Sequence, residues 1–444
     1  MPILWSAHWL VSGDGWPLPD PSPLPTSRQP RPLRPRLAVV LTSLCVTEVV
    51  SWGLLYYAFP VLAPAISADT GWSSVSVSAA FSGALVVSAV AGVPVGRVID
   101  SCGPRQVMTT GSVLGVVALV VVATAPNGPV FVLGWLVAGA AMSGVLYPPA
   151  FAAVTGWFTT RRLAALTTLT LIAGLASTVF APLVAASGER LGWRGTYLAA
   201  AVVLLALTVP IHAVALRRPW PAAQLRGADQ RKPQRHYTAA VLTSTQFRLL
   251  AVGFTAVSLA MYAALLALVP LMLERGLTTS VAAWILGLGG LGQVAGRLIY
   301  TRLAPRASLP VRTAIVFVLV TGSIAALAVV PGPIGALVAL SMLAGIGRGI
   351  ATLLQATAIT DRWGPRAYGH LSGMLGLPVL LATALAPWAG PMLAEVTGSY
   401  ATGFVILSML AGAGTVLMVV SACSPVSSSR SAPPGSRSAP EREP

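Results

Sequence analysis

The sequence predicts an all-α polytopic membrane protein with twelve transmembrane helices in two six-helix bundles. Three observations carry that prediction. Of 444 residues, 55% belong to the hydrophobic set and 9% are charged, against roughly 25% charged in an average soluble domain. The apolar residues fall in runs of about twenty or more, the length at which a helix crosses about 30 Å of hydrocarbon. A basic stretch at 217–246 divides those runs six and six, and the two halves match each other at an offset of 205 residues.

Residues 1–36 are Pro-rich and carry Arg28, Arg31, Arg34 and Arg36, with apolar residues too scattered for a signal-peptide core. They read as a disordered cytoplasmic tail, or in part as an upstream extension of the reading frame. Helical runs follow at 37–66, 74–98, 106–125, 130–157, 163–187 and 196–216, which make an N-terminal bundle over 37–216. The linker 217–246 holds Arg217, Arg218, Arg226, Arg231, Lys232 and Arg235. A C-terminal bundle over 247–421 takes the runs at 247–273, 280–303, 312–330, 334–360, 367–392 and 400–421. The last segment, 422–444, is Ser, Pro and Arg and reads as a second disordered cytoplasmic tail.

The net charge of +16 would ordinarily suggest a nucleic-acid partner, but the arginines punctuate helix ends instead of forming a patch, so no nucleic acid is expected. With the N-terminus inside, 24 of the 28 basic residues fall on inner segments, while the outer loops hold Arg190, Arg194 and Arg275. The positive-inside rule then places both termini in the cytoplasm and the chain in the cell membrane. Cys45, Cys102 and Cys423 lie far apart and give neither a disulfide framework nor a metal pattern. The halves align Arg97 with Arg302, Ser143 with Arg348, Tyr147 with Thr352 and Pro182 with Pro387. Such a parallel repeat relates the bundles by an axis along the membrane normal and places a binding site between them near the midplane.

After the second run stands Gly96-Arg97-Val98-Ile99-Asp100-Ser101-Cys102-Gly103-Pro104-Arg105. Gly96 permits close helix contact, Asp100 suits the positive end of a helix, and Gly103-Pro104 makes a tight turn. The segment resembles the signature loop of the major facilitator superfamily, G-x-x-x-D-(R/K)-x-G-(R/x)-(R/K), with Ser101 replacing a basic residue. The resemblance implies the major facilitator fold and a loop whose Gly96, Arg97, Asp100, Gly103 and Arg105 influence the conformational switch. The second-half copy, Thr301-Arg302-Leu303-Ala304-Pro305-Arg306, has lost the Gly and the Asp. Gly71-Trp72-Ser73, Ser78-Ala79-Ala80-Phe81-Ser82 and Tyr56-Tyr57-Ala58-Phe59 further resemble the monocarboxylate and oxalate/formate branch.

Ionisable groups deep in a membrane helix are functional candidates by default. Glu48 is the only acidic one, about 16 Å into its helix at 1.5 Å per residue, with Trp52, Tyr56 and Phe59 at spacings that share its face. It is either a proton carrier or structural glue to a neighbouring helix. Arg348 lies well inside its helix, with Thr352 and Gln355 on the same face. A guanidinium cannot shed its charge, so it calls for an anionic partner: a substrate, or Glu48 across the two halves. Arg297, one turn after Gln293, matches the place where the monocarboxylate and oxalate branch carries a substrate-binding Arg; its nearness to the cytoplasm also suits an ordinary positive-inside residue. Tyr147 and Tyr262 complete the candidates. In the fifth run, Gly174 to Ala186 is similar to the antiporter motif of drug exporters with alanines for glycines, and reads better as a small-residue packing face.

No Gly-x-Ser-x-Gly, Walker-type or His-x3-His pattern occurs, so neither an enzyme nor an ATP-driven pump is expected, and no cofactor or metal. The expected function is a monomeric, proton-coupled secondary transporter that moves a small organic anion by alternating access. Multidrug or metabolite efflux by proton antiport is the alternative, and a non-transporting receptor a third reading.

Overall fold

The computed structural model describes residues 35–158, 161–220, 235–364 and 368–423. Of the expected tails, 35–36 and 422–423 continue the adjoining helices, while 1–34 and 424–444, with 221–234 of the expected linker, lie outside the described residues. Within them, eleven helices are long and apolar enough to cross a membrane. One, Ala164–Ala215, has 52 residues, about 78 Å at 1.5 Å per residue and more than twice the hydrocarbon thickness. It reverses at Gly192, whose φ of 64° and ψ of 175° lie where essentially only glycine goes. Before the reversal Leu169 packs near Leu44 and Met108. At the reversal Trp193 donates to Asp69 at 2.9 Å, and afterwards His212 returns to the carbonyl of Met108 at 3.1 Å. The segment crosses and comes back, which makes twelve crossings among the described residues.

We number them α1 (Leu37–Thr70), α2 (Ser74–Cys102), α3 (Pro104–Thr124), α4 (Gly128–Trp157), α5 (162–191), α6 (193–215), α7 (Thr245–Leu266, continued by Leu268–Glu274), α8 (Thr279–Leu303), α9 (Leu309–Val329), α10 (Ile334–Trp363), α11 (Tyr368–Thr397) and α12 (Tyr400–Cys423). A short helix, Arg235–Thr243, precedes α7 and is held by the Tyr237 hydroxyl donating to the Trp363 carbonyl. The face carrying Arg97, Arg105, Arg161, Arg302, Arg306 and Arg362 is the basic face, and the one with Asp69, Glu189, Glu274 and Glu395 the far face. Far-face turns are built by side-chain caps: Ser73 accepts from the Ser76 N–H, Asn127 from Val130 and Thr278 from Val281, each satisfying an otherwise unpaired helix-end donor.

Several helices depart from regular α geometry in mid-membrane. In α1 a π-helical stretch spans Trp52–Tyr57, a feature frequent at functional sites. α4 breaks at Leu146, just before Tyr147 and Pro148, and α5 at Gly174–Leu175.

Within the second bundle α8 and α10 are zipped by glycines. A Cβ on Gly292 would lie 2.2 Å from the Met342 oxygen, and one on Gly349 2.1 Å from the Gln293 oxygen. Small residues let backbones approach where lipid supplies no hydrophobic force between helices. The seam between the bundles is α2 against α11 and α5 against α8. Ser82 Oγ accepts from the Trp388 N–H at 3.0 Å, and Thr178 Oγ1 donates to the Gly287 carbonyl at 2.7 Å. Ser82 and Gly287 are 205 residues apart, as are Pro182 and Pro387 beside them. The two contacts are therefore repeat-related, as a two-fold axis along the membrane normal requires.

Candidate functional site

At the seam the described helices gather most of the sequence candidates. Glu48 of α1 is fully buried; its Oε2 accepts from Trp52 Nε1 at 2.9 Å, four residues on, and its Oε1 has no protein partner. The Trp52 ring lies 5.1 Å from Tyr56 and 5.0 Å from Tyr147 of α4 between centroids. The Tyr147 hydroxyl in turn sits next to the Arg297 guanidinium of α8 and within electrostatic reach of Glu48.

Arg297 is buried and donates through Nη1 to the carbonyl of Thr170 in α5, across the seam. Arg348 of α10 is 3% exposed, lies within electrostatic reach of Tyr56 and Tyr262, and leaves Nε and Nη2 without a protein partner. A cavity of about 20 Å³ beside it, bordered by Met261, Ser323 and Ser341, has room for about one water. Gln293 is buried at the α8–α10 zipper, one turn from Arg297. The glycine contacts thus fix the two arginine-bearing helices against each other.

The structure does not assemble every candidate. Thr352 donates to the Gly349 carbonyl of its own helix at 2.8 Å, and Gln355 is only half-buried. Glu48 and Arg348, expected as possible partners across the halves, form no ion pair; the Glu48 cluster reaches Arg297 through Tyr147 and Arg348 through Tyr56. Sequence reasoning missed the Thr170 carbonyl, which is backbone, and Tyr57, which also lies within reach of Tyr262. The signal for Tyr57 was available: it falls on Tyr262 at the offset of 205.

On the far face a cleft of about 540 Å³ lies between the bundles, bounded by α1 and α2 on one side and by α7, α11 and the start of α12 on the other.

The sequence profile of the Major Facilitator Superfamily matches residues 44–335 and 250–443. The chain belongs to the major facilitator superfamily. Human monocarboxylate transporter 11 is 26% identical over 397 residues, 86% of this chain and 82% of the relative. Bovine (Bos taurus) monocarboxylate transporter 13 is 26% identical over 347 residues, covering 73% and 76%. Among solved structures the nucleoside transporter NupG superposes with a TM-score of 0.67 at 12% identity, covering 86% of this chain and 98% of the other. A bacterial homolog to the human lysosomal transporter Spinster, inward-facing and unoccupied, gives 0.65 at 16% identity, covering 88% and 96%. At these identities the likeness to the solved structures is one of fold. This superfamily member is a membrane transporter and not an enzyme.

The superfamily loop shows two corrections to its sequence reading. A Cβ on Gly96 would meet nothing within 4 Å, so Gly96 mediates no close helix contact here. The Asp100 side chain is exposed and bonds to no helix end among the described residues; its backbone carbonyl instead accepts from Trp220 Nε1 at 3.3 Å. Gly103 does turn the chain, with φ 82°. Arg97 is exposed, and Arg105 donates through Nε to the Ala213 carbonyl of α6 at 2.9 Å, within its own bundle. In α5, Gly174, Ser177 and Thr178 pack against Val294, Gly290 and Gly287 of α8, a packing face as expected, placed on the seam.

Proposed function

We propose that this transporter moves a small organic anion, a carboxylate, together with a proton, by alternating access, with both termini cytoplasmic and the basic face inside a cell membrane. The observation that carries the reading is the pair of buried guanidiniums, Arg297 and Arg348, the second with two nitrogens, Nε and Nη2, free of any protein partner. A buried unpaired charge is costly in hydrocarbon, and the guanidinium fork matches a carboxylate with two parallel hydrogen bonds. The named monocarboxylate transporters among its relatives support the same substrate class.

In this reading the anion meets Arg348 and competes with the Thr170 carbonyl for Arg297. Loosening that cross-seam bond frees α5 to move against α8, while Glu48 takes a proton beside Trp52 and Tyr147. The bundles then rock about the repeat-related contacts of α2 with α11 and α5 with α8. The work comes from a gradient, by a single copy of the chain.

Efflux of lipophilic compounds by proton antiport is the second reading, favoured by the aromatic cluster of Trp52, Tyr56, Tyr57 and Tyr147. Proteoliposomes separate the two. Labelled lactate, pyruvate and oxalate are offered under an inward proton gradient, and at least one is expected to accumulate and to exchange in counterflow. Absence of carboxylate movement together with proton-driven extrusion of a lipophilic dye would favour the second reading.

A further inference from the structure

The far-face cleft has a chemistry opposite to that of the arginine site. Its wall from the first bundle includes Phe59 and Ser67, and its wall from the second includes Pro270, Pro387, Glu274 and Glu395. Among the described residues no lysine, arginine or histidine borders it, and the two charged ones that do are both carboxylates.

Glu274 is held in place, its Oε1 accepting from Ser399 Oγ at 2.5 Å and its Oε2 from the Tyr400 N–H at 2.6 Å. A carboxylate offers about four acceptor sites, so a fixed charge with capacity to spare faces the cleft. Glu395 is exposed and bonds to no described residue. Ser67 Oγ is buried in the wall with no protein partner. Ser74 and Ser78 add two hydroxyls on the first-bundle side, the rest of the lining is mainly proline, aromatic and aliphatic, and a volume of about 540 Å³ falls in the range of small-molecule pockets, roughly 300–1,000 Å³.

We propose that this cleft is a second binding site, separate from the arginine site, for a lipophilic organic cation: an ammonium group against Glu395 and Glu274 and an apolar body between Phe59 and the prolines. Charge complementarity selects the cation over an anion of equal shape, and the apolar walls select it over a bare metal ion or a small amine. Because each bundle supplies one wall, the guest fits only the arrangement in which the walls stand at this separation. A ligand with such differential affinity shifts the population toward that arrangement, so the cation acts as an inhibitor from the far face.

The test uses the purified full chain in detergent and three compounds of one shape: 4,4-diphenylbutylamine, 4,4-diphenylbutanol and 4,4-diphenylbutyrate. The amine is expected to raise the melting temperature with concentration, and the alcohol and the acid to bind at least tenfold more weakly. Glu395→Gln is expected to weaken amine binding about tenfold. Ser67→Phe, which fills the cleft without touching charge, is expected to abolish it while the variant still elutes as a folded monodisperse species. Equal binding of amine and alcohol, or an unchanged affinity in Glu395→Gln, overturns the proposal. Loss of amine binding in Arg348→Ala would place the cation in the central site and overturns it as well, whereas failure of carboxylate uptake in proteoliposomes leaves it standing.

Discussion

Arg297 in α8 donates to the carbonyl oxygen of Thr170 in α5, so one side chain of the second bundle ties itself to the backbone of the first. The bond lands one turn before the break in α5 at Gly174–Leu175, and the Gly174 N–H shares the same oxygen at 3.1 Å. A carbonyl is a weaker acceptor for a guanidinium than a carboxylate, and an incoming anion can therefore take the arginine from it. Arg297→Gln is expected to lower carboxylate affinity by about 2 kcal/mol or more, the usual loss when one member of a buried charged pair is truncated. Thermal shift with a carboxylate ligand measures this. Arg297→Lys should recover only part, because a lysine offers no planar fork. Full affinity in both variants would reduce Arg297 to a charge marking the basic face.

The α8–α10 zipper gives a prediction about stability. A Cβ at Gly349 would sit 2.1 Å from the backbone oxygen of Gln293, which cannot rotate away, whereas one at Gly373 would meet nothing within 4 Å. Gly349→Ala should force the helices apart at about 1–3 kcal/mol, the range for overpacking. Gly373→Ala should be neutral or gain up to about 1 kcal/mol of helix propensity. Melting of the two variants in the same detergent compares them directly, and equal melting temperatures would mean that the contact relaxes freely.

The helices were legible because membrane thickness imposes a length on them. The runs read at 74–98 and 334–360 appear as Ser74–Cys102 and Ile334–Trp363, differing only where polar end turns continue the helix beyond the apolar stretch. The reversal between α5 and α6 was equally visible, since Glu189, Arg190 and Arg194 interrupt the apolar run. Hydropathy carries no trace of the π-helical stretch at Trp52–Tyr57, and it does not register the break at Leu146, which the prolines Pro148 and Pro149 impose on the backbone just before them. The same limit applies to the candidate site. The depth of Arg297 along its helix suggested the basic face, and only the fold shows it turned to Thr170. Glu48 and Arg348 were correctly read as buried, but their depths alone said nothing about which side chains stand between them.

Orientation is tested by labelling. Asp229→Cys and Glu189→Cys, each in a background with the native cysteines replaced by serine, lie on opposite faces if the arginine-rich segments are inside. A membrane-impermeant maleimide should label the 189 variant in intact cells and the 229 variant only in inverted vesicles. Labelling of the 229 variant from outside would reverse the topology.

The final prediction concerns the proton. Glu48 has one oxygen engaged by Trp52 and the other without a protein partner, so among the described residues no cation forms an ion pair with it. One route from it to a positive charge runs through Trp52 to Tyr147, which stands beside Arg297. If an anion draws Arg297 away from Tyr147, the Tyr147–Trp52–Glu48 group loses its partner across the seam, and Glu48 is expected to take up a proton as the anion binds. Anion binding and proton uptake are then linked without an Arg348–Glu48 pair. Glu48→Gln mimics the protonated state permanently. It should abolish accumulation driven by a pH gradient while sparing exchange of carboxylate between the two sides, because exchange needs no net proton movement. Tyr147→Phe, which keeps the ring against Trp52 and removes the hydroxyl, should weaken the dependence of uptake on pH more than it lowers binding. Should Glu48→Gln still accumulate substrate against its gradient, the carboxylate is a structural bond to Trp52 and the proton travels elsewhere.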